Sequence, residues 1–415
     1  MYCNIIITRP FNHVFTYDVG SAKVKKGQIV LVPFGKSTEV GMIFETNVSK
    51  SDYQIKKVLK IFNSLCFDNV TIKFIQWIND YTLAPIGSVL KLFLINDKIV
   101  QFKASAAKKL NIHSQNVVLN AEQQKAKKNI FKYLKINSKP IVLEGVTGSG
   151  KTEVYFDLIE YILHQSKQAL IMVPEISLTP QLEKRFLNRF GIEVDVWHSK
   201  ISEKKRQDIW HRSYKGDTMI VVGARSSLFL PFSNLGLIII DEEHDPSFKQ
   251  QEGFKYSARD LAVFRARQLN VPVLLASATP SLESFYNAQQ QRYKSLTMPK
   301  RIGTAGAPSI RIVDLNRHAT RHGLSTPLIT AVERHLAENN QILLFINRRG
   351  FAPVLFCVEC RTAEDCARCD SRMTIHAARG EVRCHHCGSQ KPLMWLCVCC
   401  GAERIAVGTG TQRVT

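Results

Sequence analysis

The sequence has no hydrophobic run approaching the ~20 residues that a membrane span needs. Its first residues, Met1-Tyr2-Cys3-Asn4-Ile5-Ile6-Ile7-Thr8-Arg9, lack both the basic start and the small-residue cleavage site of a secretory signal, so a cytoplasmic location is expected, with no membrane partner. Low-complexity tracts are missing, and paired cysteines are the sole internal repeat. Acidic residues are scarce: 35 Asp and Glu stand against 56 Lys and Arg, a formal net charge of +21. Such a deficit favours a polyanionic partner, because each phosphate neutralised releases counterions. Lysine also becomes scarce along the chain. After Lys300 the one remaining lysine is Lys391 and arginine takes over, which reads as a change of coding background. Hydrophobic (45%) and charged (22%) fractions are ordinary for globular domains, and 415 residues suffice for two to four of them.

The most informative segment is Gly145-Val146-Thr147-Gly148-Ser149-Gly150-Lys151-Thr152. It follows the strand-like run Pro140-Ile141-Val142-Leu143 and leads into the helix-like Val154–Ile159. That is the strand–loop–helix context of a phosphate-cradling P-loop. Glycines let several backbone N–H groups turn toward phosphate oxygens, and the following helix adds the positive end of its dipole. Lys151 is placed to reach the β- and γ-phosphates of ATP, and Thr152 to offer a hydroxyl to Mg²⁺. Nearly continuous apolar runs at 169–173, 219–222, 237–240 and 273–276 read as strands buried on both faces of a parallel sheet, which predicts a doubly wound α/β domain. A further run, Gln341–Ile346, reads as the first strand of a second α/β unit. Asp241-Glu242-Glu243-His244 stands at the carboxyl end of the 237–240 run, where ligands of such sheets bind. Asp241 is expected to hold Mg²⁺, and Glu242 to orient or deprotonate the attacking water.

These residues resemble the hydrolysis box of superfamily-two helicases. The flanking segments Leu119–Gln124, Gly145–Tyr155, Val173–Gln181, Gly223–Ser227, Gln250–Asp260 and Ser277–Ser281 are similar to the primosomal protein N′ branch of that superfamily. They cover most of residues 119 to 285, in order. The resemblance implies a RecA-like helicase lobe in which Gln123 contacts adenine. Residues 173–181 and 223–227, with Arg225, would grip a single-strand backbone, and Ser277 and Thr279 would couple hydrolysis to lobe movement. It also implies an aromatic-rich loop, Phe248, Phe254 and Tyr256, that senses DNA. Aromatics beside Lys249, Lys255 and Arg259 suit base stacking with backbone neutralisation, and the competing reading makes them core anchors.

Eight of the eleven cysteines form four Cys-x-x-Cys pairs: Cys357/Cys360, Cys366/Cys369, Cys384/Cys387 and Cys397/Cys400. Four pairs make two four-thiolate Zn²⁺ sites of structural type. The gap from Cys369 to Cys384 is of hairpin length, so the second and third pairs are expected to share one metal and the first and fourth the other. Cys399, His385 and His386 are read as bystanders, and Cys3 and Cys66 as small core residues.

Residues 1–100 read as a β-rich domain with a helix over 70–81. Its Phe15-Thr16-Tyr17, Val32–Lys36 and Pro85–Gly87 resemble the family's domain for the 3′ end of a nascent strand. Phe15 and Tyr17 would stack a base and Lys36 would meet the backbone, and the competing reading places the two aromatics in a small β-barrel core. The family has aspartate where Thr16 stands, and threonine accepts a hydrogen bond without charge assistance. The expected organisation is then a basic linker at 101–118, helicase lobe one at 119–300, the start of lobe two at 301–352, the zinc-binding insertion at 353–404 and a lobe-two remainder at 405–415. The family's winged-helix domain is expected to be missing, because about 18 residues separate Val100 from Leu119. The chain is also expected to be truncated, since the family continues beyond Thr415 with an arginine that faces ATP. By resemblance the function is an ATP-dependent 3′→5′ DNA helicase of replication restart. It would recognise forked or single-stranded DNA and assemble with other primosome proteins and single-strand-binding protein. Truncation supports a second reading: a non-translocating homologue that binds ATP, zinc and DNA with little DNA-stimulated ATPase. A zinc-ribbon RNA-binding or RNA-polymerase-associated protein fits the cysteines but not the Asp-Glu-Glu-His box.

Overall fold

The computed structural model describes residues 1–50, 54–95, 117–136, 139–174, 177, 180–303, 309–321, 324–345, 354–369 and 371–407. Several expectations fall outside these residues. They are the basic linker with Lys103, Lys108 and Lys109, positions 175, 176, 178 and 179 of the strand-gripping segment, Ile346, and residues 408–415. The chain divides into two compact units, Met1–Gly306 and Ala307–Thr415. No helix among the described residues is long and apolar enough to cross a membrane.

The first unit begins with an antiparallel sheet of β1 (Tyr2–Ile7), β2 (Phe15–Asp18), β3 (Gln28–Phe34), β4 (Ser37–Val48) and β5 (Lys60–Cys66), in the order β2-β1-β4-β3-β5. Helices α1 (Asn69–Thr82) and α2 (Ile86–Leu94) follow. The Asp68 carboxylate caps α1 by accepting from the Thr71 N–H at 2.7 Å. Apolar residues recur every three or four positions, so Ile72, Ile75 and Ile78 share one buried face.

A seven-stranded, wholly parallel sheet forms the rest of the unit. Its strands are β6 (Ile141–Gly145), β7 (Gln168–Met172), β8 (Asp195–Trp197), β9 (Ile220–Gly223), β10 (Leu235–Asp241), β13 (Val273–Ser277) and β14 (Lys294–Met298), in the order β14-β6-β13-β10-β7-β9-β8. The intervening β11 (Lys249–Gln250) and β12 (Tyr256–Ser257) form a separate two-stranded hairpin. Helices α3 (Ala121–Ile136), α4 (Lys151–His164), α5 (Pro180–Phe190), α6 (Glu203–Lys215), α7 (Ala258–Leu269) and α8 (Leu282–Gln289) complete the lobe. Leu237, Ile238, Ile239 and Ile240 are fully buried, because consecutive side chains enter opposite cores.

One of those cores continues into the N-terminal domain. It joins Ile238 and Ile240 of β10 to Phe74 and Ile78 of α1 and Phe93 of α2. The Trp210 indole N–H donates to the Phe93 carbonyl at 2.6 Å, and Trp77 stacks on Phe264 with ring centroids 3.5 Å apart. The N-terminal sheet is thereby fixed to the lobe through a shared apolar interior.

In the second unit, the hairpin of β15 (Thr320–Arg321) and β16 (Leu324–Ser325) precedes α9 (Thr326–Ala337). The expected strand at 341–346 is corrected over its described part: residues 341–345 form no strand, with Leu343 90% and Phe345 82% exposed. A fully apolar strand is stable only between partner strands, and none of the described strands pairs with it. Beyond it, β17 (Val354–Cys357) pairs with β21 (Arg404–Val407). The strands β18 (Thr374–His376), β19 (Glu381–Arg383) and β20 (Gln390–Pro392) form a meander.

Candidate nucleotide, zinc and DNA sites

Strands β6, β13 and β10 are neighbours in the parallel sheet, so their carboxyl ends deliver three loops side by side: 145–152, 277–281 and 241–244. In the first, Gly150 has φ +78 and its position is crowded. A Cβ there would meet Gln123 Nε2 at 2.3 Å, so both the backbone angle and the close approach call for glycine. Gln123 is buried, its Nε2 donates to the Gly150 carbonyl (3.3 Å), and its Oε1 accepts from the Asn120 N–H (2.9 Å). The predicted adenine contact thus lies against the loop. Gly145, Thr147 and Gly148 complete the curl before α4. Lys151 Nζ curls back to the Gly145 carbonyl at 2.7 Å, and Ser149 Oγ is buried with no partner among the described residues. An unmet hydroxyl and a folded-back ammonium inside a glycine cradle at a helix N-terminus fit the phosphates of ATP.

Asp241 ends β10 and accepts from the Tyr155 hydroxyl at 2.9 Å. Burial lifts its carboxyl above the ordinary range, against the pull of Tyr155 and Lys151. A divalent cation on Asp241 would offset that cost. Burial also pushes the Tyr155 phenol well up, so it stays a neutral donor. Glu242 has φ +50, an uncommon backbone for glutamate, and its half-exposed side chain brings Oε2 to 3.6 Å from His244 Nδ1. His244 Nδ1 lies 2.8 Å from Ser277 Oγ, which accepts from the Thr279 N–H at 2.9 Å, so the acid box and the 277–281 loop are joined directly.

Two participants were not legible as such in the sequence. Tyr155 follows Lys151 by four positions, one helical turn, and that spacing is its signal. Glu243 is wholly buried. Its Oε2 accepts from Arg259 Nη1 (3.1 Å), Ser281 Oγ (3.0 Å) and Ser284 Oγ (3.0 Å), and its Oε1 from the Ser281 N–H (2.7 Å). Burial alone would lower the Arg259 pKa, but Asp260 and Glu243 outweigh it and hold the guanidinium charged. Removing either partner would strand a buried charge, at about 3–5 kcal/mol.

The DNA assignments need correction. Phe248 and Tyr256 are 2% and 6% exposed and belong to the lobe core, with Tyr256 edge-on to Phe229. They cannot stack bases in this conformation, because their area is already spent inside. Arg259, bound to Glu243, is likewise unavailable to phosphates. Phe254 is half-buried, Lys255 is exposed, and Arg225 donates to the Ser247 carbonyl at 3.0 Å. In the N-terminal domain, Tyr17 is 4% exposed and its hydroxyl donates to the Pro33 carbonyl, so it forms core rather than a free stacking face. Phe15 remains half-buried among His13, Phe11 and Phe34, and Lys36 is exposed in the β3–β4 turn. His13, Phe15, Thr16, Tyr17 and Phe34 together line a cavity of about 480 Å³. The Thr16 hydroxyl donates to Asn4 Oδ1 at 2.9 Å.

The cysteines gather as two nested groups, Cys357, Cys360, Cys397 and Cys400, and Cys366, Cys369, Cys384 and Cys387, with the four sulfurs of each mutually within 4.8 Å. Cross-pair contacts are 3.4–3.5 Å. Tetrahedral zinc with sulfur at ~2.3 Å puts sulfurs about 3.8 Å apart, so both sets fit the ion. The turns close through Gly388 N–H to Cys384 O (3.0 Å) and Gly401 N–H to Cys397 O (2.9 Å). The Arg368 amide holds the Cys366 thiol down to about 6, and those of Cys400 and Cys399 hold Cys397 down to about 5, toward the thiolates that zinc requires. Cys399, His385 and His386 lie outside both groups and are exposed.

Three family models match the chain: the 3′DNA-binding domain (3′BD) over residues 4–95, the DEAD/DEAH box helicase over 120–287, and the PriA DNA helicase Cys-rich region (CRR) domain over 366–392. Among curated relatives, the replication restart protein PriA of Haemophilus influenzae is 48% identical over 274 residues, 66% of this chain and 38% of that one. That of Rickettsia felis is 37% identical over 395 residues, 94% of this chain and 60% of that one. That of Chlamydia pneumoniae is 31% identical over 507 residues, 100% of this chain and 67% of that one. The chain thus spans between 38% and 67% of the length of these relatives.

Proposed function

Because the chain belongs to the replication restart protein PriA family, we propose that it acts as an ATP-dependent DNA helicase that tracks 3′→5′, recognises forked DNA and initiates primosome assembly. The observation that carries this reading is the meeting of Lys151, Asp241 and the Ser277–Ser281 loop at three adjacent strand ends. Lys151 and Thr152 would hold the phosphates and Mg²⁺ of ATP, Asp241 would complete the cation site, and Glu242 would activate water. The His244–Ser277 contact would pass the state of the nucleotide to the loop. Forked or single-stranded DNA, other primosome proteins and single-strand-binding protein are the partners of this reading. The two zinc ions are structural, since four thiolates leave no open position.

One observation favours a second reading for this chain. Residues 341–345 pair with no described strand, and α9 buries no side chain. A lobe without a formed partner would bind ATP, zinc and DNA with little turnover. ATP turnover and strand separation should be measured on forks with a 3′ or a 5′ single-stranded arm. The helicase reading expects DNA-stimulated turnover and unwinding from the 3′ arm. Unwinding from the 5′ arm would overturn the polarity. Bound ATP and DNA with unstimulated turnover would select the second reading.

A further inference from the structure

A cleft of about 1050 Å³ opens between the N-terminal domain and the parallel-sheet lobe of the first unit. Arg9 and Lys91 line it from the N-terminal side, and Arg206 and Arg225 from the lobe. Glu39 is the one carboxylate among its described lining residues, and it is buried and already held by Arg9 Nε at 2.8 Å. The cleft is therefore strongly cationic. Lys91 is exposed on the last turn of α2. Arg206 Nη2 donates to the carbonyls of His198 (3.3 Å) and Ser199 (3.1 Å), which fixes its guanidinium 5.7 Å from the Trp197 ring. Its Nε is buried with no partner among the described residues.

The walls cannot drift apart freely, because the two domains share a core through Trp210–Phe93 and Trp77–Phe264. The cleft also adjoins the aromatic cavity of the N-terminal domain in sequence. Thr8–Pro10 line the cleft, His13–Tyr17 line the cavity, and Phe11 packs on both His13 and Phe15 between them. Cations on separate walls, serine hydroxyls (Ser88, Ser226) and a half-buried aromatic (Phe254) make the lining of a single-strand groove.

We propose that this cleft holds the sugar–phosphate backbone of one DNA strand, gripped jointly by Lys91 of the N-terminal domain and by Arg206 and Arg225 of the lobe. The proposal rests on the DNA-binding reading above and adds the interdomain track to it. Its test is the salt dependence of oligo-dT binding, followed by fluorescence anisotropy without nucleotide. Each single-strand phosphate contact contributes about 0.7 to the slope of log K against log salt. The double variant Lys91→Gln/Arg206→Gln is expected to lose about 1.4 from that slope. Lys91→Arg/Arg206→Lys, which keeps both charges, is expected to retain the wild-type slope and so controls for folding. Wild-type binding with an unchanged slope in the Gln variant would overturn the cleft alone and leave the DNA reading standing. Failure of the wild type to bind oligo-dT would overturn both. Loss of oligo-glutamate binding in the Gln variant, with the oligo-dT slope intact, would make the cleft a site for an acidic peptide and also overturn the proposal.

Discussion

Replacing Cys384 by serine is expected to cut the zinc content from two ions per chain to one and to melt the β18–β20 meander. The reason is the size of the core around it. Among the described residues, Leu355, Met373, Ile375 and Val382, with the ligands Cys366 and Cys384, form the buried cluster there. So few apolar side chains cannot offset the entropy of ordering the segment. The metal must supply the difference, and a structural zinc contributes about 10–16 kcal/mol in small zinc-binding peptides. Cys357, Cys360, Cys397 and Cys400 form a separate set, so one ion should remain in the variant. Metal analysis by mass spectrometry decides it. One ion or none in the wild-type chain would refute the two-site assignment.

Glu242→Gln is expected to lower ATP turnover by roughly 10²–10⁴-fold, the usual worth of a general base, while ATP still binds. Glu242 is the acid of the box with a half-exposed carboxylate, whereas Glu243 is committed to Arg259 and to Ser281 and Ser284. Asp241 is half-buried, accepts from the Tyr155 hydroxyl and is suited to a cation. On the proposed reading the three consecutive acids would divide into metal binding at Asp241, water activation at Glu242 and structure at Glu243. Retained turnover in Glu242→Gln, measured by phosphate release, would assign the base elsewhere.

Features whose chemistry fixes their spacing were legible from the amino-acid order. The P-loop must place glycines, Lys151 and Thr152 at set offsets, and Cys-x-x-Cys pairs suit one face of a tetrahedral ion. The buried strands also showed themselves, because a parallel sheet covered on both faces leaves no polar alternation in Leu237–Ile240. Phe248, Tyr256 and Tyr17 misled for the opposite reason: an aromatic beside basic residues reads alike whether it awaits a base or fills a core. Arg259 sits sixteen positions from Glu243, and no local pattern announces that pairing. Gln341–Phe345 has the composition of a strand, but composition cannot supply the neighbours that a strand needs. The core shared by Phe93, Trp210 and Ile240 was hidden for a similar reason, since it joins Phe93 to residues more than a hundred positions away.

The central claim, that residues 145–152 hold ATP with its cation on Asp241, is tested most directly by titrating Mg-ATP calorimetrically into the wild-type chain and Lys151→Ala. The wild type should bind one nucleotide per chain. The variant should bind roughly 10- to 100-fold more weakly, as loss of a charged hydrogen-bond donor to phosphate requires. Equal affinity in the two proteins, or no binding by the wild type, would contradict the account.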